Sequence, residues 1–297
     1  MAGALEGKIA LITGAGQGLG RAEALYLASL GAKVVVNDLG ASVDGVGRES
    51  KPAQAVVEEI KAAGGEAIAH GGDVSNFDDA KDMIDSAIKT WGDFHILINN
   101  AGILRDRMIF NITEEEWDAV DKVHLKGHFN TTRHACAYWR EQSKTSGGPT
   151  YGRIVNTSSE AFLMGSPGQP NYAAAKAGIV GLTTSVANSM AKYGVTANAI
   201  APRAATRMTE MFGMDPEQFA PENVAPLVGY LASPDAAHVS AQLFIVYGGM
   251  VSVLAPITID EKFETEGRWT QEGLAGALGP YFEKRESPAR GFVVQFD

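Results

Sequence analysis

One cysteine, Cys136, stands among 297 residues. A single thiol excludes an intrachain disulfide and a cysteine-based metal cluster. Set in RHACAYW, it reads as a buried, inert thiol on a helix, and no metal site is expected. Basic residues are scarce as well: 25 Lys and Arg face 35 Asp and Glu, for a net charge of −10. General nucleic-acid binding needs a basic face, so that class is set aside, while a local basic pocket for a phosphorylated small molecule is still allowed. Long apolar runs are missing too. No stretch approaches the ~18 apolar residues of a membrane span. The opening MAGALEGKIALITG lacks the basic segment and cleavage site of a signal peptide, and the closing VQFD is not a peroxisomal address. The expectation is a reduced, cytoplasmic protein with neither membrane nor nucleic acid as partner.

What is present is the composition of an ordinary globular chain, 45% hydrophobic and 20% charged. KIALIT (8–13) is a short β-rich run ending in glycines, followed by a helical GRAEALYLASLG and a second run, KVVVND. EAIAH (66–70), HILINNAG (95–102), GRIVNTSS (152–159), TANAIAP (196–202) and QLFIVYGG (242–249) continue the series. Short apolar strands alternating with amphipathic helices build a parallel sheet covered on both faces. The predicted fold is α/β, a doubly wound, seven-stranded parallel sheet of the Rossmann type, in one domain over 1–250. Residues 251–297 form a C-terminal extension whose Trp269, Tyr281, Phe282 and Phe292 need somewhere to pack, on the substrate side or on a neighbouring subunit. Two inserts depart from the rhythm: the glycine-rich 39–50 after strand two, and the long connection 204–223 after strand six.

TGAGQGLG (13–20) places Gly14, Gly18 and Gly20, with Gln17 and Leu19 between them, where strand one meets the first helix. Glycines there let the backbone approach a pyrophosphate seated at a helix N-terminus. Asp38 closes strand two. A carboxylate at that point accepts hydrogen bonds from ribose hydroxyls and repels a 2′-phosphate, and Gln17 offers such a phosphate no cation, so NAD is expected over NADP. Asp73 and Val74 follow strand three, where an adenine edge would lie; Asp73 could equally cap the helix starting near Phe77. Asn100, Ala101 and Gly102 of NNAG would bring backbone against the nicotinamide-side ribose.

Tyr172 precedes Lys176 by four residues, which stacks a phenol and an ammonium on one helix face. A lone pair of this kind is most often a solvated surface pair. Its sharper reading is a phenol whose acidity a close cation raises, able to exchange a proton with an alcohol. Ser159, thirteen residues earlier at the end of strand five, faces the same crevice. Taken in order, the TGxxxGxG turn, NNAG and the serine–YxxxK spacing resemble the short-chain dehydrogenase/reductase family over about residues 5–250. The resemblance implies Tyr172 as general acid/base, Lys176 as its modulator and a ribose ligand, and Ser159 as the group that orients the reacting oxygen. It also implies hydride transfer with a nicotinamide cofactor.

Where the family usually has an asparagine whose backbone carbonyl holds a proton-relaying water, this chain has His124. Either the carbonyl does the work and the side chain is replaceable, or the imidazole itself moves protons. VVVNDLG, VHLKG, IAPRAATRMTE and ENVAPLVGYLAS resemble the dehydrogenase part of peroxisomal multifunctional enzyme type 2. That branch implies an acyl-CoA or sterol substrate, a (3R)-3-hydroxyacyl-CoA above all, and a homodimer or homotetramer with the helices of Cys136 and Tyr172 at the interface. The family's PG after strand six stands here as Pro202-Arg203 and its DGG as Tyr247-Gly248-Gly249, which leaves the contacts of Pro202 with the nicotinamide side open. Met208, Met211, Phe212, Met214 and Phe219 make the 204–223 connection an apolar lid, or simply pin it to the core. Arg203, Arg207, Arg105 and Arg107 would meet CoA phosphates or remain solvated. An NADPH-dependent 3-oxoacyl carrier-protein reductase, a free 17β-hydroxysteroid dehydrogenase and a silent NAD-binding sensor or scaffold are the alternatives.

Overall fold

The computed structural model describes residues 3–47, 49, 51–209 and 213–285. Seven strands lie parallel in the sheet: β1 Ile9–Thr13, β2 Lys33–Asn37, β3 Ala67–His70, β4 Ile96–Asn99, β5 Gly152–Thr157, β6 Val195–Pro202 and β7 Leu243–Tyr247. An eighth, β8 (Met250–Val253), turns back antiparallel along β7. The order is β3-β2-β1-β4-β5-β6-β7-β8. The sheet therefore runs past residue 250 into the extension, a strand not expected from sequence because MVSV is too short to stand out and its residues are mostly exposed.

The two-residue period of a strand sends alternate side chains to opposite faces. Ala10, Ile12, Val34, Val36, Ile96 and Ile98 enter one core, and Ile9, Leu11, Val35, Leu97 and Ile154 the other. Helices α1 (Gly18–Ser29), α2 (Lys51–Ala62) and α8 (Ala225–Ala232) cover the first; α3 (Phe77–Trp91), α5 (Gly127–Ser146) and α7 (Pro170–Met190) cover the second. Between these come α4 (Glu114–Asp121), opened by a Thr113/Glu116 capping box, and the single turn α6 (Ala161–Met164). The strand order reverses between β1 and β4, the point where an open α/β sheet presents its ligand crevice.

The extension ends in α9 (Gln271–Lys284), which Thr270 caps and which has no buried residue. Trp269 and Phe282 are exposed, and Tyr281 packs on Phe263 and Phe282 of the same extension. Phe292 lies outside the described residues. No helix among the described residues is long and apolar enough to cross a membrane.

Candidate active site

A cavity of about 840 Å³ opens at the switch point, and Gly14, Gln17, Gly18, Leu19, Asp38, Asp73, Val74, Asn100, Ala101 and Gly102 line it. Its floor is a stitched turn. The Thr13 hydroxyl accepts from the amides of Asn100 and Ala101 at 3.0 and 3.1 Å, while the Asn100 amide group donates to the carbonyls of Thr13 and Gly14. Gly14 has φ +64°, and a Cβ there would lie 2.8 Å from the Ala101 Cα, so both conformation and space demand glycine. Gly20 is not a wall residue: it faces the Gly14 carbonyl at a distance no side chain could share. This glycine-floored cradle at the N-terminus of α1 suits a pyrophosphate, and the cavity is large enough for a dinucleotide.

Asp38 stands in the cavity wall beyond the end of β2. Its two carboxylate oxygens accept from the amides of Gly16 and Gly40, each at 2.7 Å, which fixes the carboxylate and leaves it lone pairs for a ligand. Asp73 does not cap α3. Asn76 does, accepting from the Asp78 and Asp79 amides, while the Asp73 carboxylate closes its own turn on Ser75 and remains in the cavity wall. The cap falls to Asn76 because it alone stands immediately before the first helical residue.

Ser159, Tyr172 and Lys176 come together beyond the ends of β5. Pro170 opens α7, so Tyr172 and Lys176 occupy its first turns. The Ser158 hydroxyl, donating to the Lys176 carbonyl at 2.9 Å, ties that helix to the strand end. The Ser159 hydroxyl stands near the Tyr172 phenol and favours its ionised form, and Ser159 Oγ accepts from the Ala161 amide. Lys176 is buried, donates to the Thr157 carbonyl at 2.6 Å and lies 5.3 Å from the centroid of the Tyr172 ring. Burial pushes the ammonium down to about 7. It also pushes the phenol up to about 12, against the lowering effect of Ser159. The expected depression of the phenol is thus absent in the protein alone: desolvation outweighs a neighbour whose own charge is half lost and whose Nζ points at Thr157.

His124 sits in a π-helical segment, Lys122–Lys126, of the kind that often marks a functional bend. Its buried ring stands edge-on to Tyr172 at 5.1 Å, and Nε2 lies 2.8 Å from the Ile103 carbonyl. A Cβ on Gly102 would fall 2.4 Å from His124 Cε1, so the imidazole backs directly onto NNAG. Burial, then Lys176, hold it well below the ordinary histidine range. Sequence reasoning missed His128, one turn on. Its Nε2 is buried without a partner, and burial, then Lys176, lowers the ring to about 3. The His124–His128 spacing was the available signal. Three buried bases share this corner: Lys176 makes both histidines harder to protonate, and His128 does the same to His124.

The 39–47 insert is a wall of the cavity, through Ala41, Ser42, Val43 and Gly45, and it is held by the Leu104 amide on the Val43 carbonyl. Opposite stand Ala205, Thr206, Arg207, Met208 and Met214 of the connection after β6. Phe219 is buried; Met211 and Phe212 lie outside the described residues. Pro202 ends β6 beside this wall. Of the four arginines, Arg107 pairs with Glu116, Arg105 donates to the Asp44 carbonyl, and Arg207 is exposed at the cavity lip. Arg203 is committed to Glu160 and is no phosphate ligand as it stands. Cys136 is half-buried, and burial raises its thiol to about 12, an unreactive state.

Residues 8–218 match the short chain dehydrogenase family. The chain is 49% identical over 302 aligned residues, 97% of its own length and 92% of the relative's, to the hydroxyacyl-CoA dehydrogenase ChsB1 of Mycobacterium tuberculosis. It is 46% identical to peroxisomal multifunctional enzyme type 2 of Drosophila melanogaster, where 76% of the chain aligns with 36% of that protein, so it spans about a third of the longer relative. A crystal structure of a short chain dehydrogenase from Mycobacterium avium superposes with a TM-score of 0.86 at 47% identity, covering 96% of this chain and 98% of the other. With its crevice, glycine turn and serine–tyrosine–lysine cluster in these places, the chain belongs to the short-chain dehydrogenase/reductase family, close to the dehydrogenase part of peroxisomal multifunctional enzyme type 2.

Proposed function

We propose that the protein is an NAD-dependent dehydrogenase that interconverts a secondary alcohol and a ketone, with a (3R)-3-hydroxyacyl-CoA or a sterol-derived acyl-CoA thioester as substrate. The observation that carries this reading is the convergence of Ser159, Tyr172 and Lys176 beside a glycine-floored cavity. The substrate class is supported by the hydroxyacyl-CoA dehydrogenase that aligns along nearly the whole chain. Ser159 orients the substrate oxygen, and Tyr172 Oη takes the hydroxyl proton in oxidation or returns it in reduction. A nicotinamide nucleotide, which the Gly14–Gly20 turn and Asp38 would hold, would supply the hydride chemistry. With the phenol at about 12, Tyr172 is protonated at neutral pH, the donor form. Its phenolate is the form that Lys176, as ammonium, and Ser159 stabilise. The histidine ring behind Tyr172 is neutral and excludes water from that side.

Asp38 supports NAD over NADP, because its fixed carboxylate would accept ribose hydroxyls and repel a 2′-phosphate. Dissociation constants for NADH and NADPH test this; tighter NADPH binding would sink it. We infer a cytoplasmic homodimer or homotetramer. Phe129 on α5 and Phe77 beside it, both exposed and stacked at 6.4 Å, support an interface on that face. The extension packs on a neighbouring subunit in this reading. β8 carries the chain from the crevice end of the sheet back to the opposite end, and α9 has no fully buried residue. A monomer in sedimentation at micromolar concentration would refute the assembly.

A further inference from the structure

Two departures from the family's pattern, Arg203 in place of the glycine after Pro202 and Tyr247 in place of the aspartate before the final glycines, meet at Glu160, which directly follows Ser159. Arg203 donates to Glu160 through two nitrogens, Nε at 2.6 Å and Nη2 at 2.9 Å, with both side chains about nine-tenths buried at 11% and 7% exposure. The guanidinium lies 4.3 Å from the centroid of the Tyr247 ring. Tyr247 in turn stacks on Phe219 at 5.5 Å. Phe219 closes the neck of the connection after β6, accepting from the Ala205 amide at 2.6 Å. Both ends of that connection are therefore tied to the residue beside the catalytic serine. Its first residues form a cavity wall, where Thr206 stands over Gly18 of the pyrophosphate turn; a Cβ at Gly18 would lie 3.3 Å from Thr206 Cγ2.

We propose that Glu160 is a positioning residue: through Arg203, Tyr247 and Phe219 it holds the wall Ala205–Arg207 over the cofactor cradle. The inference rests on the proposed function for its kinetic consequence, but not for its structural one. A bidentate pair has the geometric specificity to do this. A buried pair is also weak as a mere source of stability, and an apolar pair would have filled the space. Glu160 supplies no proton and touches no reacting atom; it acts through the backbone it fixes.

Two variants test it. Glu160→Gln keeps the shape and removes the charge. Tyr247→Leu leaves the ion pair and the Ser159 turn in place and cuts the link to Phe219. In the full-length protein, trypsin cleavage after Arg207, which is exposed, and NADH affinity by fluorescence are read for both. The expected result is cleavage faster and NADH bound more weakly by roughly tenfold, about 1.4 kcal/mol, in each variant, with kcat at saturation within about threefold of wild type. Lowered melting temperature with unchanged cleavage at Arg207 and unchanged NADH affinity would overturn the proposal and leave the pair a packing feature. If the wild type turns over no hydroxyacyl-CoA, the proposed substrate fails, while the cleavage rates still decide the role of Glu160.

Discussion

Replacing Lys176 with methionine should make the protein more stable at neutral pH while abolishing the proposed chemistry. Burial has taken the ammonium from 10.5 to about 7. At about 1.4 kcal/mol per tenfold in acidity, giving up that proton on folding costs roughly 4–5 kcal/mol at pH 7. Methionine fills the same space without that cost, but it strands the Thr157 carbonyl, now served at 2.6 Å, a loss of about 1–3 kcal/mol. The variant should therefore gain roughly 2 kcal/mol at pH 7. The sign then changes with pH. A depressed lysine makes the wild type gain stability as pH rises from about 7 towards 10.5, because the unfolded chain still holds a proton that the folded chain lacks. The advantage of Lys176→Met should shrink steadily and reverse by about pH 9. Urea unfolding followed by tryptophan fluorescence at pH 7, 8 and 9.5 measures the difference, and contributions from all other groups cancel in it. A difference that does not change with pH, or a variant already less stable at pH 7, would refute the reasoning.

Glu23 on α1 is buried with both oxygens unpartnered, and desolvation raises it to about 8. Here the sign is opposite: stability is present below about 4.5 and is lost as pH rises through 8, so Glu23→Leu should gain on the wild type across that window, by up to ~1.4 kcal/mol per pH unit; melts at pH 5, 6.5 and 8 that show a constant gap would contradict it. Gly102→Ala should cost about 1–3 kcal/mol by overpacking, because its Cβ would meet His124 Cε1 at 2.4 Å. Most of that cost should vanish in a His124→Ala background, and a double-mutant cycle showing additivity would remove His124 as the cause.

Much of the fold was legible because parallel strands buried on both faces leave unmistakable apolar runs; KVVVN and ILIN could be little else. The place of the cavity was legible for a related reason, since glycines at a strand–helix junction and a carboxylate at the next strand end are local signals. What was not legible depends on tertiary contact. Burial, which no spacing reveals, sets the phenol of Tyr172 above rather than below its ordinary value. Sequence leaves Arg203 open between a phosphate ligand and a solvated charge, because its partner, Glu160, is forty-three residues away. Asp73 and Asn76 both favour helix caps, and only the position of the first turn chooses between them. The insert after β2 read as a loop, but its place in the cavity wall depends on meeting Leu104 across the crevice.

The measurement that tests the central claim most directly is NADH formation by the purified protein with 3-hydroxyacyl-CoAs of both configurations and with 17β-hydroxysteroids, run beside Tyr172→Phe. Positioned acid/base catalysis is worth ~10²–10⁴-fold. The account predicts turnover of the (3R)-thioester, lost by at least about a hundredfold in Tyr172→Phe while NADH still binds. Undiminished turnover in that variant, or no turnover of any thioester by a wild type that binds NADH, would contradict it.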